Sequence, residues 1–144
     1  MAIEKALYTA HATSTGGRTG TTESSDGKIK LQLSTPKELG GDGGPGSNPE
    51  QLFASGYSAC FIGAMKMVAG SQKLKLPAEV SIKSDVSIGP MTGKPGAFSI
   101  AVAMAVSVPG MEKSAVEALV KAAHEVCPYS NATRGNIDVA LTVA

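Results

Sequence analysis

Residues 47–70, SNPEQLFASGYSACFIGAMKMVAG, predict one long buried helix with a cysteine, Cys60, near its middle. Asn48 is a residue type that caps helix N-termini, and Pro49 suits the first helical position. Gln51 stands three residues after Asn48, as in a capping box. The start of the helix is therefore well marked in the sequence.

The body of this helix is apolar on all sides. No charged residue occurs between positions 52 and 65, a pattern typical of a helix that is buried on most of its surface. The uncharged run is short for a membrane span and contains Gly, Ser and Tyr, which favours a core helix of a soluble protein. Gly56 and Gly63 share the face of Cys60, and we expect them to let another backbone approach its sulfur.

The residues before the helix predict three strands. Alternation indicates a strand over 5–14 and a third over 29–33, with a polar second strand over 18–24 between them. Asp26-Gly27 is a hairpin signal. Residues 39–47 hold five glycines and predict an irregular connection, either a flexible connector or a functional loop.

The residues after the helix predict a hairpin, a second helix and a last strand. Strands over 79–88 and 97–108 flank a turn rich in Gly and Pro, a helix covers 112–127 until Pro128, and alternation returns over 137–143. The order is βββαββαβ with mostly antiparallel sheet. The sequence therefore predicts one α+β domain spanning residues 1–144.

A single sheet of six strands has difficulty covering both helices, one of which is apolar all round. We therefore expect part of the central helix to be covered by a second copy of the chain, in an intertwined homodimer with a large apolar interface.

The net charge and the composition of the chain argue against several classes of protein. The chain has 144 residues and a net charge of +1, which argues against nucleic-acid binding and against an anionic membrane surface. Its N-terminus lacks the apolar run of a signal peptide, so a cytoplasmic location is expected. In that compartment two cysteines are more often reactive than structural.

The two cysteines leave three simple readings open. Cys60 could be inert packing, as many buried cysteines are. His124 and Cys127 are three residues apart, but no second pair completes a zinc motif, so we expect no metal. A Cys–His hydrolase would need His11 or His124 near Cys60, and nothing in the sequence places either there.

Thiol redox chemistry is the remaining option. It requires a thiolate, which burial disfavours and a neighbouring guanidinium favours. It also benefits from a second thiol that converts the first oxidation product into a disulfide before over-oxidation. Cys127 is the only other cysteine in the chain.

Three motifs resemble the organic hydroperoxide resistance proteins, within the wider osmotically inducible protein C (OsmC) superfamily. They are ATSTGGRTG at 12–20, NPEQLFASGYSACF at 48–61 and CPYSNATRGNIDV at 127–139. The resemblance covers essentially the whole chain in order. The last motif argues against the stress-induced sister branch, which has the same chemistry and a different substrate preference.

The resemblance implies a role for four residues. Cys60 looks like the peroxidatic cysteine and Cys127 like the resolving one. Arg18 looks like the arginine that stabilises the thiolate, and Glu50 like its carboxylate partner. The implied fold is OsmC-like, with active sites at the subunit interface of a homodimer.

The resemblance also implies the reaction. Organic and fatty-acid hydroperoxides would be reduced to alcohols through a Cys60 sulfenic acid and a Cys60–Cys127 disulfide. Dihydrolipoamide on a lipoylated protein would be the external reductant, with no bound cofactor. The alternative from another class is a non-catalytic binder of hydrophobic ligands whose cysteines are merely buried.

The spacing of Glu50 and Cys60 adds an inference about assembly. Ten residues of regular helix separate their Cα atoms by about 15 Å. The two side chains therefore cannot meet within one straight helix. Either the helix breaks near residues 55–56, or Glu50 serves the Cys60 of the other subunit.

Overall fold

The computed structural model describes all residues from Met1 to Ala144, and they form two compact units, Met1–Pro49 and Glu50–Ala144. We describe each unit by itself. The organisation of the chain as one domain stays a prediction.

The N-terminal unit contains a small antiparallel sheet. Its strands are β1 (Ala12–Thr15), β2 (Thr21–Ser24) and β3 (Lys30–Gln32), paired in the order β1-β2-β3. The predicted turn between β2 and β3 is confirmed: Asp26 accepts from the Ser24 hydroxyl at 2.7 Å, and Gly27 has a φ of 72°. Left-handed φ values of this kind favour glycine.

Two predicted strands are shorter than expected. β1 begins only at Ala12, because its register with β2 ends at Ala12↔Ser24. One more backbone hydrogen bond, from the Ser25 N–H to the His11 carbonyl at 2.9 Å, does not extend the strand further. Arg18 lies in a 3₁₀ turn (Gly17–Thr19) and not in a strand. Gly16 and Gly17, with φ values of 78° and 63°, turn the chain just before it.

The segment with five glycines is irregular, as predicted. It follows a 3₁₀ turn at Lys37–Leu39 and ends at an isolated bridge between Leu33 and Ser47. Its backbone is bonded to the residues that follow β3: the Gly46 N–H donates to the Ser34 hydroxyl at 2.9 Å. The segment is therefore an anchored loop within this unit.

The C-terminal unit contains three helices and a second sheet. Its elements are α1 (Pro49–Ser71), β4 (Ser81–Pro90), β5 (Phe98–Ser107), α2 (Lys113–Val126), α3 (Pro128–Thr133) and β6 (Val139–Val143). The hairpin is confirmed, with β4 and β5 antiparallel in a register that runs from Ser81↔Ser107 to Pro90↔Phe98. β6 adds to β5 in parallel. The fold is α+β with mostly antiparallel pairing, as predicted, although the strands form two three-stranded sheets and not one of six.

Helix α1 is continuous, so the break considered near residues 55–56 is wrong. It buries one face in the core of the C-terminal unit, through Tyr57, Phe61, Ala64, Met65 and Ala69. The opposite face is exposed at Ala59, Gly63 and Met67. In one chain, therefore, α1 is not buried on most sides.

Helix α1 is long and apolar enough to cross a membrane by length and composition alone. Core helices of soluble proteins meet the same criterion. Here the helix packs its aromatic residues against α2 and α3, which agrees with the core helix that the sequence predicts.

The core of this unit forms between the sheet and the helices. The sheet contributes Val102, Met104 and Val106, while α2 contributes Val116, Leu119, Val120 and Ala123. This arrangement confirms the apolar face predicted for α2. Helix α3 was not expected, because Pro128 was interpreted only as a stop signal. Proline is equally suited to the first position of a new helix.

Candidate active site

Cys60 lies near the middle of α1 and is partly buried. It packs against the core cluster at the edge of the buried face, four residues before Ala64. A residue on a long regular helix has little positional freedom, because the backbone hydrogen bonds on both sides hold it in place. The helix therefore presents the Cys60 thiol at a fixed position.

Cys127 lies at the corner between α2 and α3 and is fully buried. It is at once the C-terminal cap of α2 and the N-terminal cap of α3, with an extended backbone (φ −66°, ψ 125°). Pro128 follows as the first residue of α3. Its fixed φ suits the first helical position and its lack of an N–H loses nothing there.

The structure brings the two thiols together. Cys60 and Cys127 are both reduced, and the Cys60 S–H lies within hydrogen-bonding distance of the Cys127 sulfur. The backbone N–H of Tyr129 also lies near the Cys60 sulfur. A sulfenic acid formed at Cys60 would thus have a thiol next to it.

The immediate surroundings of Cys60 favour its protonated form. Burial raises the pKa of this thiol most, and the nearby Cys127 raises it further through its charge and the hydrogen bond. The Tyr129 N–H lowers the pKa, since it stabilises the thiolate, but it does not reverse the balance. A reactive thiolate at neutral pH would therefore need a cation.

The other two predicted site residues lie at separate places in the chain. Arg18 is in the 3₁₀ turn of the N-terminal unit, where its carbonyl accepts from the Thr35 hydroxyl at 3.5 Å. Glu50 is in the first turn of α1, a position where a carboxylate interacts favourably with the helix dipole. Because α1 is unbroken, Glu50 does not approach the Cys60 of its own helix.

A buried polar network joins the three helices behind the thiols. The Tyr57 hydroxyl of α1 contacts Ser130 Oγ at 2.9 Å and Thr133 Oγ1 at 3.0 Å, both on α3. Ser130 Oγ also contacts His124 Nδ1 of α2 at 2.8 Å. Tyr57 and Ser130 are completely buried, so each hydroxyl needs these partners.

His124 is partly buried in the last turn of α2. Burial lowers the pKa of His124, and the neighbouring Arg134 lowers it further, against a smaller opposite effect of Glu125. The imidazole is therefore a hydrogen-bonding member of the network at neutral pH and not a charged cap.

Gly56 has the close neighbour that the sequence predicts, but it is a side chain and not a backbone. A Cβ at Gly56 would lie 2.9 Å from the Tyr129 hydroxyl, whereas a Cβ at Gly63 would meet nothing within 4 Å. The Tyr129 ring stacks on Tyr57 with centroids 5.5 Å apart. Gly56 thus makes room for Tyr129 on α1, and the expectation for Gly63 is wrong within one chain.

An apolar groove of about 640 Å³ runs beside α3. Its lining includes the apolar and aromatic side chains of Phe53, Phe98, Ile100, Tyr129 and Ile137. Tyr129, whose N–H contacts Cys60, is part of that wall, although neither cysteine lines the groove. A ligand with an apolar chain would fit beside the thiols.

The structure contains no group of three or more His, Cys, Asp or Glu side chains that could hold a metal ion. His124 is directed to Ser130 through Nδ1, and Cys127 is directed to Cys60. His124 and Cys127, the pair considered from the sequence, thus have different partners in this structure.

Sequence reasoning missed the residues that surround the thiols. Tyr57, Tyr129 and Ser130 lie within the quoted family motifs, but no spacing of nucleophiles or metal ligands singles them out. A further signal was the polar spacing after Cys127, with hydroxyls at Ser130 and Thr133 of a short helix that begins with proline.

Comparison with known proteins assigns the family. The profile of the family described as OsmC-like protein matches residues 40–142. An organic hydroperoxide resistance protein from Xanthomonas axonopodis pv. citri is 64% identical over 98% of this chain and 97% of its own length. The protein OhrB of Bacillus subtilis, with the same description, is 43% identical over 94% of this chain and 97% of its own length.

Solved structures agree with this assignment. The crystal structure of an organic hydroperoxide resistance protein from Legionella pneumophila superposes with a TM-score of 0.89 at 51% identity, covering 97% of this chain and 99% of that one. The crystal structure of Bacillus subtilis OhrB gives a TM-score of 0.88 at 42% identity, covering 96% and 100%. The chain therefore belongs to the OsmC-like family, on the branch of the organic hydroperoxide resistance proteins.

Proposed function

We propose that this protein is a two-cysteine thiol peroxidase that reduces organic hydroperoxides to alcohols in antioxidant defence. The observation that carries the proposal is the contact between the Cys60 and Cys127 thiols, residues that are distant in sequence. The names of the relatives support the substrate class. The apolar groove beside Tyr129 is suited to the organic part of such a hydroperoxide.

In the first step, the Cys60 thiolate attacks one peroxide oxygen. The O–O bond breaks, the sulfur becomes a sulfenic acid, and the other oxygen leaves as an alcohol after taking up a proton. Arg18 would lower the pKa of Cys60 and stabilise the charge on the departing oxygen. Glu50 would orient the guanidinium through a bidentate ion pair.

In the second step, the Cys127 sulfur attacks the Cys60 sulfenic acid. An S–S bond forms, the S–O bond breaks, and the oxygen leaves as water with the proton of the Cys127 thiol. A dithiol is then needed to reduce the disulfide. We assign this role to dihydrolipoamide on a lipoylated protein, as an external reductant and not a bound cofactor.

We also propose a cytoplasmic homodimer in which the free face of α1 packs against a second copy. The exposed residues Ala59, Gly63 and Met67 follow one another at intervals of four, which supports a close crossing of two helices. Because Glu50 does not reach Cys60 along its own helix, the crossing would allow Glu50 to serve the partner subunit's site.

Thiol titration tests the reaction. Reduced protein is treated with one equivalent of cumene hydroperoxide, and the product is examined by mass spectrometry. Loss of two thiols with a Cys60–Cys127 link is expected. Two intact thiols would contradict the peroxidase and support a non-catalytic binder of apolar ligands, since inert core cysteines react slowly.

Mixed dimers test the assembly. A Glu50→Ala chain is combined with a Cys60→Ser chain. If Glu50 acts on the partner subunit's Cys60, one site of the mixed dimer keeps both groups and the other site has neither. About half of the wild-type activity is expected in the mixed dimer, by the additivity of independent sites. An inactive mixed dimer would exclude the arrangement in trans.

A further inference from the structure

The position of Cys127 depends on the corner between α2 and α3, which two sets of side-chain contacts hold together. The first set is the network of Tyr57, Ser130 and His124. Ser130 Oγ lies 2.9 Å from the Tyr57 hydroxyl and 2.8 Å from His124 Nδ1, so one buried hydroxyl connects α3 to both of the longer helices.

The second set belongs to Arg134, which follows α3. One terminal nitrogen of its guanidinium donates to the His124 carbonyl in the last turn of α2. The other donates to Asn131 Oδ1 at 2.9 Å on α3. A planar guanidinium with two diverging donors can bridge two helices in this way, and its charge favours the carbonyl end of α2.

Both groups that contact the Cys60 sulfur come from this corner. Cys127 is its central residue, and the Tyr129 N–H is in the first turn of α3. A displacement of α3 would therefore move the second thiol away from Cys60. The backbone of the corner offers little resistance by itself, because α3 has only six residues.

We propose that Arg134 and His124 are positioning residues for disulfide formation, which hold α3 so that Cys127 meets the Cys60 sulfenic acid. This inference rests on the proposed function. The sulfenic acid has two fates in the presence of peroxide. It condenses with Cys127 and releases water, or a second hydroperoxide oxidises it to a sulfinic acid and leaves as an alcohol. The contacts of Arg134 and His124 favour the first fate.

The test measures how Cys60 divides between these fates. Reduced full-length protein is treated with graded excesses of cumene hydroperoxide, and mass spectrometry gives the fraction of Cys60 present as sulfinic acid. Arg134→Ala should raise this fraction about tenfold at a given excess, since a small misplacement of reacting groups has effects of this size. Arg134→Lys should give a smaller rise of the sulfinic fraction, because it keeps one charged donor.

Two further variants make the test decisive. Tyr57→Phe removes a hydroxyl from the network, keeps the aromatic ring, and should also raise the sulfinic fraction. Lys121→Ala removes an exposed cation from α2 and should match the wild type. Because the measurement is a ratio of products in folded protein, a merely structural loss of stability would not change it.

The outcomes separate the two proposals. If the wild type forms no Cys60–Cys127 disulfide, the proposed function fails and this inference fails with it. If the wild type forms the disulfide and both Arg134→Ala and Tyr57→Phe keep its sulfinic fraction, only the inference is overturned. An equal rise of the sulfinic fraction in Lys121→Ala would also overturn the inference.

Discussion

The middle of α1 and the corner between α2 and α3 each present a thiol, and they hold it by different means. Cys60 is partly buried on a long continuous helix, so local backbone hydrogen bonds determine where it lies. Cys127 is fully buried at a junction of two helices, and its position depends on contacts made by Tyr57, His124 and Arg134.

This difference matches the two tasks that we propose. The thiol that meets an external substrate needs some exposure and a rigid support. The thiol that meets only Cys60 can be buried, but it must move toward the other sulfur to form a bond. A short helix attached by side chains allows such a movement more readily than a helix of 23 residues.

Replacing each cysteine gives the largest expected contrast. Cys60→Ser should abolish the consumption of cumene hydroperoxide, since the attacking sulfur is lost. Cys127→Ser should still consume one equivalent and accumulate Cys60 sulfenic acid, because only the second step is blocked. Peroxide assays with dimedone trapping distinguish these results. Equal loss in both variants would remove the distinction between the two thiols.

Replacing Arg18 should change the thiol of α1 and leave the corner intact. If Arg18 has the proposed role, Arg18→Ala should raise the pKa of Cys60, because the thiolate loses a stabilising cation. The pH dependence of alkylation by iodoacetamide gives this pKa directly, with Arg18→Lys as a control that keeps the charge. An unchanged pH profile in Arg18→Ala would exclude the proposed role of Arg18.

Removing the Tyr57 hydroxyl should weaken the attachment of α3 and leave the helical structure of α1 intact. Tyr57→Phe is expected to lower the free energy of unfolding by about 1–3 kcal/mol, since it leaves buried hydroxyls of α3 with fewer partners. Urea denaturation measures the change. Tyr129→Phe, whose ring is partly exposed, should cost less, and the opposite order would contradict the importance of the network.

Two of the three glycines of α1, Gly56 and Gly63, allow a smaller and sharper comparison. Alanine raises helix stability by about 1 kcal/mol over glycine, so Gly63→Ala should stabilise an isolated chain, where the site is open. At a crossing of two helices the added methyl would instead weaken the dimer. Thermal unfolding with sedimentation analysis separates the two effects.

Gly56→Ala is the matched control for Gly63→Ala. Its new Cβ would displace the Tyr129 hydroxyl and offset the gain in helix stability, with no effect on assembly. If Gly56→Ala weakened the dimer as much as Gly63→Ala, the proposed crossing at Gly63 would be contradicted.

The smallest expected effect is a dependence of stability on pH at the corner. The folded protein holds the pKa of His124 below its ordinary value of 6.5, so the unfolded chain binds more protons as the pH falls. The contribution of His124 to stability is full above pH 6.5 and is lost as the pH decreases through the lower folded value. Urea midpoints at several pH values measure this slope, and His124→Gln should reduce it.

Much of the C-terminal unit could be predicted from the sequence. The helix from Pro49, the hairpin of β4 and β5, the apolar face of α2 and the strand β6 all follow from local periodicity and turn residues. Arg18 was placed in a strand, because the residue pattern of a short polar segment does not show that the turn at Gly16 and Gly17 continues through Thr19. Helix α3 was missed because its length gives no periodicity.

The sequence by itself determined which residues can do chemistry: two cysteines, few arginines and a long apolar helix with a thiol at its centre. It also determined the family, because the motifs around these residues are specific. Only the tertiary structure decided that Cys127 lies beside Cys60, that His124 is a neutral hydrogen-bonding partner, and that the Tyr129 N–H lies near the Cys60 sulfur. These features depend on contacts between helices that are distant along the chain, and neither composition nor local periodicity specifies such contacts.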